Sequence, residues 1–230
     1  MSYCGPVLAT AAPPAGAQTR ERMILVAERL FAERGVSGVS LREIGAAAGQ
    51  RNNSAAQYHF GSKQGLVDAV VEYRMAPINE RRLALLADLD AGGRGGDLRG
   101  LVEALVEPFA EHASVTAPTW YARFLERVMT EPDVEVFASL TNPVMRGLRE
   151  VVERIERALP ELPPSVRARR LALAGSMVVH AWADHERLVP RGSPPAEIAL
   201  LVAEVVDATV GILTTPVSAD TRRELGHVDV

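Results

Sequence analysis

The sequence predicts an all-α protein, a small helical head followed by a larger helical body. Three observations carry that reading. Apolar residues recur every three or four positions along most of the 230-residue chain, no stretch alternates with the period of a strand, and glycine or proline clusters break the pattern at helix-length intervals. With 47% hydrophobic and 5% aromatic residues, the chain is long enough for one small and one larger domain. Its charge is uneven. Residues 19–75 hold eight Lys or Arg against six Asp or Glu, net +2, whereas 76–230 hold seventeen against twenty-three, net −6. A mildly basic head on an acidic body suits a protein that meets nucleic acid with one end only.

Residues 1–18 have no charged side chain and three prolines, and read as a disordered arm. A secretory signal is excluded by the missing basic n-region and by Pro13 and Pro14, which break the apolar run. The single cysteine, Cys4, cannot form an internal disulfide, which fits a reducing cytoplasm. No stretch reaches the roughly 18 apolar residues of a membrane span, so no membrane partner is expected.

The head is expected over 19–75. Thr19 is placed to cap a first helix whose Ile24, Ala27, Leu30 and Phe31 form one stripe, ending at Gly35. Ser40 stands three positions before Glu43, the spacing at which hydroxyl and carboxylate satisfy each other's free amides at a helix start. Leu41, Ile44 and Ala48 continue that helix, small Ala46 and Ala47 leave room for a crossing neighbour, and Gly49 permits a sharp exit. Gln50 to His59 then concentrates Arg51, Asn52, Asn53, Ser54, Gln57, Tyr58 and His59 in a segment with few apolar anchors. Arginine bonds guanine edges and Asn or Gln adenine edges in pairs, whereas Ser, Tyr, His and Lys suit phosphate oxygens. Phe60 supplies a packing anchor. Ser62 opens another helix whose amino end and Lys63 both attract phosphate.

The stretch from Ser40 to Lys63 resembles the helix-turn-helix of the tetracycline-repressor (TetR) family, in which a Tyr-His-Phe-x-Ser-Lys phrase closes the recognition helix. Here that phrase is Tyr58, His59, Phe60, Gly61, Ser62, Lys63. The resemblance is specific over 19–75 and architectural beyond. It departs in one place: between Gly49 and Phe60 this chain has one residue more than the common pattern, and Ala56 and Gln57 stand where a branched apolar and an aromatic residue are usual. The resemblance therefore carries over DNA binding, not individual base contacts. It implies a homodimeric transcription regulator, most often a repressor, on a double-stranded, pseudo-palindromic operator and released by a small, largely apolar effector. Ser40, Arg42, Tyr58, His59 and Lys63 are candidates for positioning the head on DNA; Arg51, Asn52, Asn53, Ser54 and Gln57 are the pool of base readers.

From Ser62 a long helix runs through Asp90 with a kink expected near Arg74 to Pro77. AGGRGGD over 91–97 is a loop: it lacks the Lys-Ser or Lys-Thr ending of a phosphate-binding loop, and no strand precedes it. Helical patterns follow at about 97–113, 118–130, 133–159, 165–188 and 194–214. The body is thus 76–215, and 216–230 reads as a flexible tail. Leu98, Leu101, Leu105, Phe109 and His112 share a face. Trp120 and Phe124 line one face of the next helix, with Tyr121 and Met129 on its neighbour. Such surfaces are usually core, yet pockets in the family are made of core, and Met129, Met145 and Met177 would let one adapt. His180 and Asp184, four apart, can meet on one turn and orient a ring toward a ligand or an interface.

Between Leu171 and Trp182 small residues alternate with large apolar ones, and IALLVAEVVDATVGIL is apolar around most of its circumference. Helices so greasy need cover on several sides, so 165–188 and 194–214 pair with their copies across a two-fold axis, a choice the family resemblance favours over a monomer core. Neither a Ser-His-Asp pattern nor paired carboxylates in an apolar setting is legible, which points away from an enzyme, and no cofactor is implied. Two rival readings are a ligand carrier with a vestigial head and a metal enzyme using His180, Asp184 and His185.

Overall fold

The computed structural model describes residues 15–52, 54–115, 119–132, 134, 142–188 and 195–228, and among these the structure is helical with no strand. The head comprises α1 (Ala15–Arg34), α2 (Leu41–Ala47), α3 (Ala55–Phe60) and the first turns of α4 (Lys63–Ala91). Helix α1 begins at Ala15, not at Thr19, because Ala15 to Gln18 offer nothing to stop it. Its stripe is the head's core: Met23, Ile24, Ala27 and Phe31 are almost completely buried, against Ile44 and Ala48 of the second helix and Leu66, Val67 and Val70 of the fourth.

The Ser40 box forms as the spacing predicts. Glu43 N donates to Ser40 Oγ at 3.2 Å and Ser40 N to Glu43 Oε2 at 2.8 Å. Gly49 takes φ +76° at the exit. The third helix is shorter than the polar segment, so residues 51, 52 and 54 lie in the turn before it; Asn53 lies outside the described residues.

The α3–α4 turn is tight. Gly65 sits so close to the preceding strand of turn backbone that a Cβ there would meet the Phe60 carbonyl oxygen at 2.2 Å. Ser62 caps α4 by accepting from Gly65 N at 3.0 Å. Helix α4 then passes through Pro77 without interruption, although Pro77 leaves the Tyr73 carbonyl without its usual amide.

The body adds α5 (Leu98–Val115), α6 (Tyr121–Val128), α7 (Arg146–Arg157), α8 (Pro164–Leu188), α9 (Pro195–Thr214) and α10 (Ala219–Val228). The pattern expected over 133–159 resolves into a 3-10 turn, Pro143–Met145, capped by Asn142 and followed by α7; residues 133 and 135–141 lie outside the described residues. The region from 216 onward, expected to trail off, contains α10, which Ser218 opens by accepting from Thr221 N at 3.1 Å. Helices α5, α8 and α9 pack together, α7 lies on α4 and α5, and α6 is wedged between α8 and α1 of the head. No single described helix is long and apolar enough to cross a membrane.

Candidate nucleic-acid interface and effector cavity

On the head, the α2–α3 turn turns its polar side chains outward. Arg42, Arg51, Asn52, Ser54, Gln57 and Tyr58 are exposed, Tyr58 to 85%, the most of any large hydrophobic side chain described. Several of them have structural duties as well. Asn52 Oδ1 accepts from Ser54 N at 3.0 Å and from Ser54 Oγ at 2.8 Å, so Asn52 shapes the entry to the third helix and leaves its amide nitrogen pointing away from that bond. Gln57 donates its side-chain amide to the Gly61 carbonyl and closes the helix at the other end. Half-buried His59 stands edge-on to Tyr58, ring centroids 5.3 Å apart. Phe60 is held from the other side by Arg20, whose guanidinium lies 5.3 Å from the ring centre.

Lys63 departs from expectation. Its ammonium donates to the carbonyls of Val36 at 3.1 Å and Ser37 at 3.4 Å, bracing the start of α4 against the α1–α2 turn. Ser40 is likewise engaged in its capping box, with Glu43 further paired to Arg34 at 2.9 Å. These bonds hold the Glu43 carboxyl at a pKa of about 2, with the Arg34 bond the largest cause and the Ser40 amide next.

In the body, a cavity of about 320 Å³ opens between α4, α5, α6, α7 and α8. Its wall is apolar, built from Met75, Leu105, Phe109, Leu125, Met129, Leu148, Val178 and Val179, with Ala172, Gly175 and Ser176 of α8 closing one side. The polar residues of the lining are Ser176 and Arg82, and Arg82, 3% exposed, is the charged one.

Of the candidate pocket residues, Phe109 and Met129 line the cavity. Tyr121 and Phe124 are core just beyond it: Phe109 stacks on Tyr121 at 5.7 Å, and Phe124 stacks on Phe31 of the head at 6.2 Å. Trp120 is half-buried under Arg123, whose guanidinium lies 4.5 Å from its ring centre, and Met145 is buried in the 3-10 turn. Met177 is half-buried and His112 sits beside Arg74, Nε2 to Nη1 3.3 Å, its pKa lowered first by burial and then by that cation.

The His180–Asp184 pair does not form. His180 Nδ1 faces the Ser176 carbonyl at 3.0 Å, its Nε2 lies 3.5 Å from Glu126, and Asp184 pairs with Arg187 at 2.6 Å. Both side chains are largely exposed, and neither lines the cavity. His185 is buried edge-on against Trp182, so the three residues do not converge.

Arg82 escaped sequence reading, yet it stands on the apolar register of α4 with Met75, Ile78, Leu86 and Leu89, at spacings of three and four. A charged residue on such a stripe is the signal that could have found it.

Two buried carboxylates tie α6 in place between cavity and head. Glu28 of α1 forms a two-bond pair with Arg74 of α4, at 2.6 and 3.0 Å, and accepts from Trp120 N at 3.0 Å. Glu186 of α8 accepts from Ala122 N at 3.1 Å and Arg123 N at 3.0 Å, as well as from the Thr119 hydroxyl, and so caps α6 at its positive end. Burial nonetheless pushes the Glu186 carboxyl up. Beyond the far end of α6, Glu131 accepts from Val36 N at 2.9 Å and from Ser37 Oγ at 2.7 Å, the same turn that Lys63 braces.

A helix-turn-helix head with an outward polar turn, on a helical body that encloses an apolar cavity, defines the ligand-sensing class of DNA-binding transcription regulators. Residues 24–70 match the family model described as bacterial regulatory proteins of the tetR family, and residues 103–214 match the tetracyclin repressor-like C-terminal domain. The chain belongs to the TetR family of transcription regulators, with a helix-turn-helix DNA-binding domain and a ligand-binding C-terminal domain.

Solved structures agree at the level of fold. A putative tetR family transcription regulator from Shewanella sp. PV-4 superposes with a TM-score of 0.56 at 18% identity, over 83% of this chain and 97% of that one. HlyIIR, a hemolysin II transcriptional regulator, gives 0.51 at 17%, over 88% and 100%. NalD, the secondary repressor of the MexAB-OprM multidrug efflux pump in Pseudomonas aeruginosa, gives 0.51 at 21%, over 86% and 98%. No curated protein matches the sequence.

Proposed function

We propose that this chain is a homodimeric repressor, working in the cytoplasm, that leaves its operator when a small, largely apolar molecule fills the body cavity. The observation that carries the reading is the position of α6. It forms part of the cavity wall through Leu125 and Met129, and its Phe124 rests on Phe31 of the head. A ligand that shifts this helix must therefore shift the head, or be opposed by it.

Arg51, Asn52, Asn53, Ser54 and Gln57 supply the base readers in a major groove; Arg42, Tyr58 and His59 position the head on the backbone, while Ser40 and Lys63 keep its shape. The dimer forms through α8 and α9, where Leu173 and Leu200 are 63% and 61% exposed in a single chain. Large apolar side chains that exposed on neighbouring helices suit a partner. The two heads then address half-sites about one DNA turn apart, roughly 34 Å, or a multiple of it.

The test is fluorescence anisotropy on DNA from upstream of the protein's own gene against scrambled DNA, with sedimentation of the free protein. A sequence preference of about a thousandfold or more, together with a dimer, is the expected result. Equal binding to both DNAs favours the carrier reading with a vestigial head.

A further inference from the structure

We infer that the effector is an organic acid, an apolar body carrying one carboxylate, whose carboxylate pairs with the guanidinium of Arg82 inside the body cavity. The inference rests on reading that cavity as the effector site and names the chemistry of what fills it.

Helix α4 carries two buried arginines two turns apart, and they are treated differently. Arg74 meets Glu28 through two short bonds. Arg82 meets only neutral acceptors: Nη1 donates to Asn79 Oδ1 at 2.8 Å and lies 3.8 Å from Met75 Sδ, and Nη2 donates to the Leu105 carbonyl at 3.1 Å. Its Nε, also buried, has no acceptor, and among the described residues no carboxylate pairs with it. Burial pushes the guanidinium down to about 10, which still leaves it charged near neutral pH.

A buried charge without a counter-charge is costly to keep. A structural duty, an Nη1 bond to Asn79 within α4 and an Nη2 bond that links α4 to α5, accounts for the two Nη bonds; an uncharged amide would serve it without that cost. It accounts for neither the free Nε nor the charge.

The rest of the wall decides the ligand's body. Leu105, Phe109, Leu125 and Val179 offer contact and no hydrogen bond. The cavity's 320 Å³ falls in the range of about 300–1,000 Å³ typical of small-ligand pockets. A guanidinium's planar fork fits a carboxylate better than a single-point acceptor, so a carboxylate at one end of an apolar molecule satisfies both halves of the site. Among the described residues two other buried side-chain polar atoms lack partners, the Tyr121 hydroxyl and the Trp182 indole nitrogen. Neither residue lines the cavity; both rings lie against Phe109, which does.

The test uses full-length protein and two matched pairs, decanoate with 1-decanol and 4-butylbenzoate with 4-butylbenzyl alcohol, titrated by calorimetry. At least one acid should bind wild type about tenfold or more tightly than its alcohol, the size of one charge-assisted bond. Arg82→Met should erase that preference while alcohol binding stays within about threefold, and Arg82→Lys should keep part of it. Alcohols that bind as well as the acids to wild type overturn the anion assignment and leave the cavity as an apolar effector site; this comparison needs no variant to fold. Retention of the preference in a folded Arg82→Met overturns the assignment to Arg82. If neither acids nor alcohols bind, both the assignment and the cavity reading fall.

Discussion

Glu43 shows how one side chain both starts a helix and sets a pH response. Its carboxylate accepts from Ser40 at the beginning of α2 and from Arg34 at the end of α1, and so fastens the corner on which the reading helix depends. The folded pKa of about 2 lies below the ordinary 4.5. Its contribution is therefore complete above pH 4.5 and is lost as the pH falls toward 2. Glu131, held below its usual range chiefly by the Ser37 hydroxyl, acts in the same direction. Because the Glu43 side chain is exposed to solvent, salt should weaken the effect. Thermal unfolding followed by circular dichroism should show the melting temperature of wild type falling between pH 4.5 and 2 more steeply than that of Glu43→Gln. Parallel curves would remove Glu43 from the account of head stability.

Among elements, the reading helix is the one whose placement is least negotiable. It is six residues long, too short to hold its own shape, and is fixed by Asn52 at one end, Gln57 at the other and the close approach of Gly65 to the Phe60 carbonyl beyond. Gly65→Ala should force that turn open at a cost of about 1–3 kcal/mol. Operator affinity should drop by about tenfold or more while sedimentation shows the dimer unchanged; full affinity in this variant would mean that the turn does not place the helix. The sequence made some of this legible and hid the rest, for physical reasons. Capping and helical periodicity are local, so the Ser40 box, the Gly49 exit and the core stripe of Ile24, Ala27 and Phe31 can be read directly. Asn52 and Lys63 are polar residues whose bonds depend on where neighbouring backbone lies, so chemistry suited to DNA and chemistry suited to bracing look alike until the fold is known. The cavity is half legible: Phe109 and Met129 stand out as apolar on a shared surface, whereas Tyr121 and Phe124 give the same signal from solid core and Trp120 gives it from a half-buried position outside the cavity. Arg82 is hidden in the sequence because a single charge on an apolar stripe looks like an interruption of that stripe. A four-residue spacing shows that His180 and Asp184 can share a helix face, not that they meet: Glu126 and Arg187 engage them instead.

At the scale of the whole molecule, two sets of contacts decide function. One is the proposed contact between copies. Leu201 and Val205 of α9 pack against their own chain, Val205 only 5% exposed, whereas Leu173 of α8 and Leu200 of α9 point outward. Leu173→Asp with Leu200→Asp should therefore yield folded monomers in sedimentation, and a persistent dimer would place the interface elsewhere. The other set lies between body and head, and α6 carries it. Its amino end is held by Glu186 and Glu28, its middle lines the cavity, and the chain just past its end is tied by Glu131 to the α1–α2 turn. A ligand that moves this helix acts on the head through Phe124 against Phe31 and through Glu131. Cutting the second tie should separate sensing from reading. Glu131→Ala should bind operator within about threefold of wild type without ligand, and bind the activating acid equally well. The acid's effect on operator affinity should shrink by about tenfold, a coupling loss near 1.4 kcal/mol. Coupling is reciprocal, so operator DNA should also lose its effect on acid affinity in this variant. Titrating each ligand in the presence and absence of the other measures both halves of the cycle; an undiminished effect in either direction would show that the signal reaches the head through α4 or the Phe124 contact without Glu131.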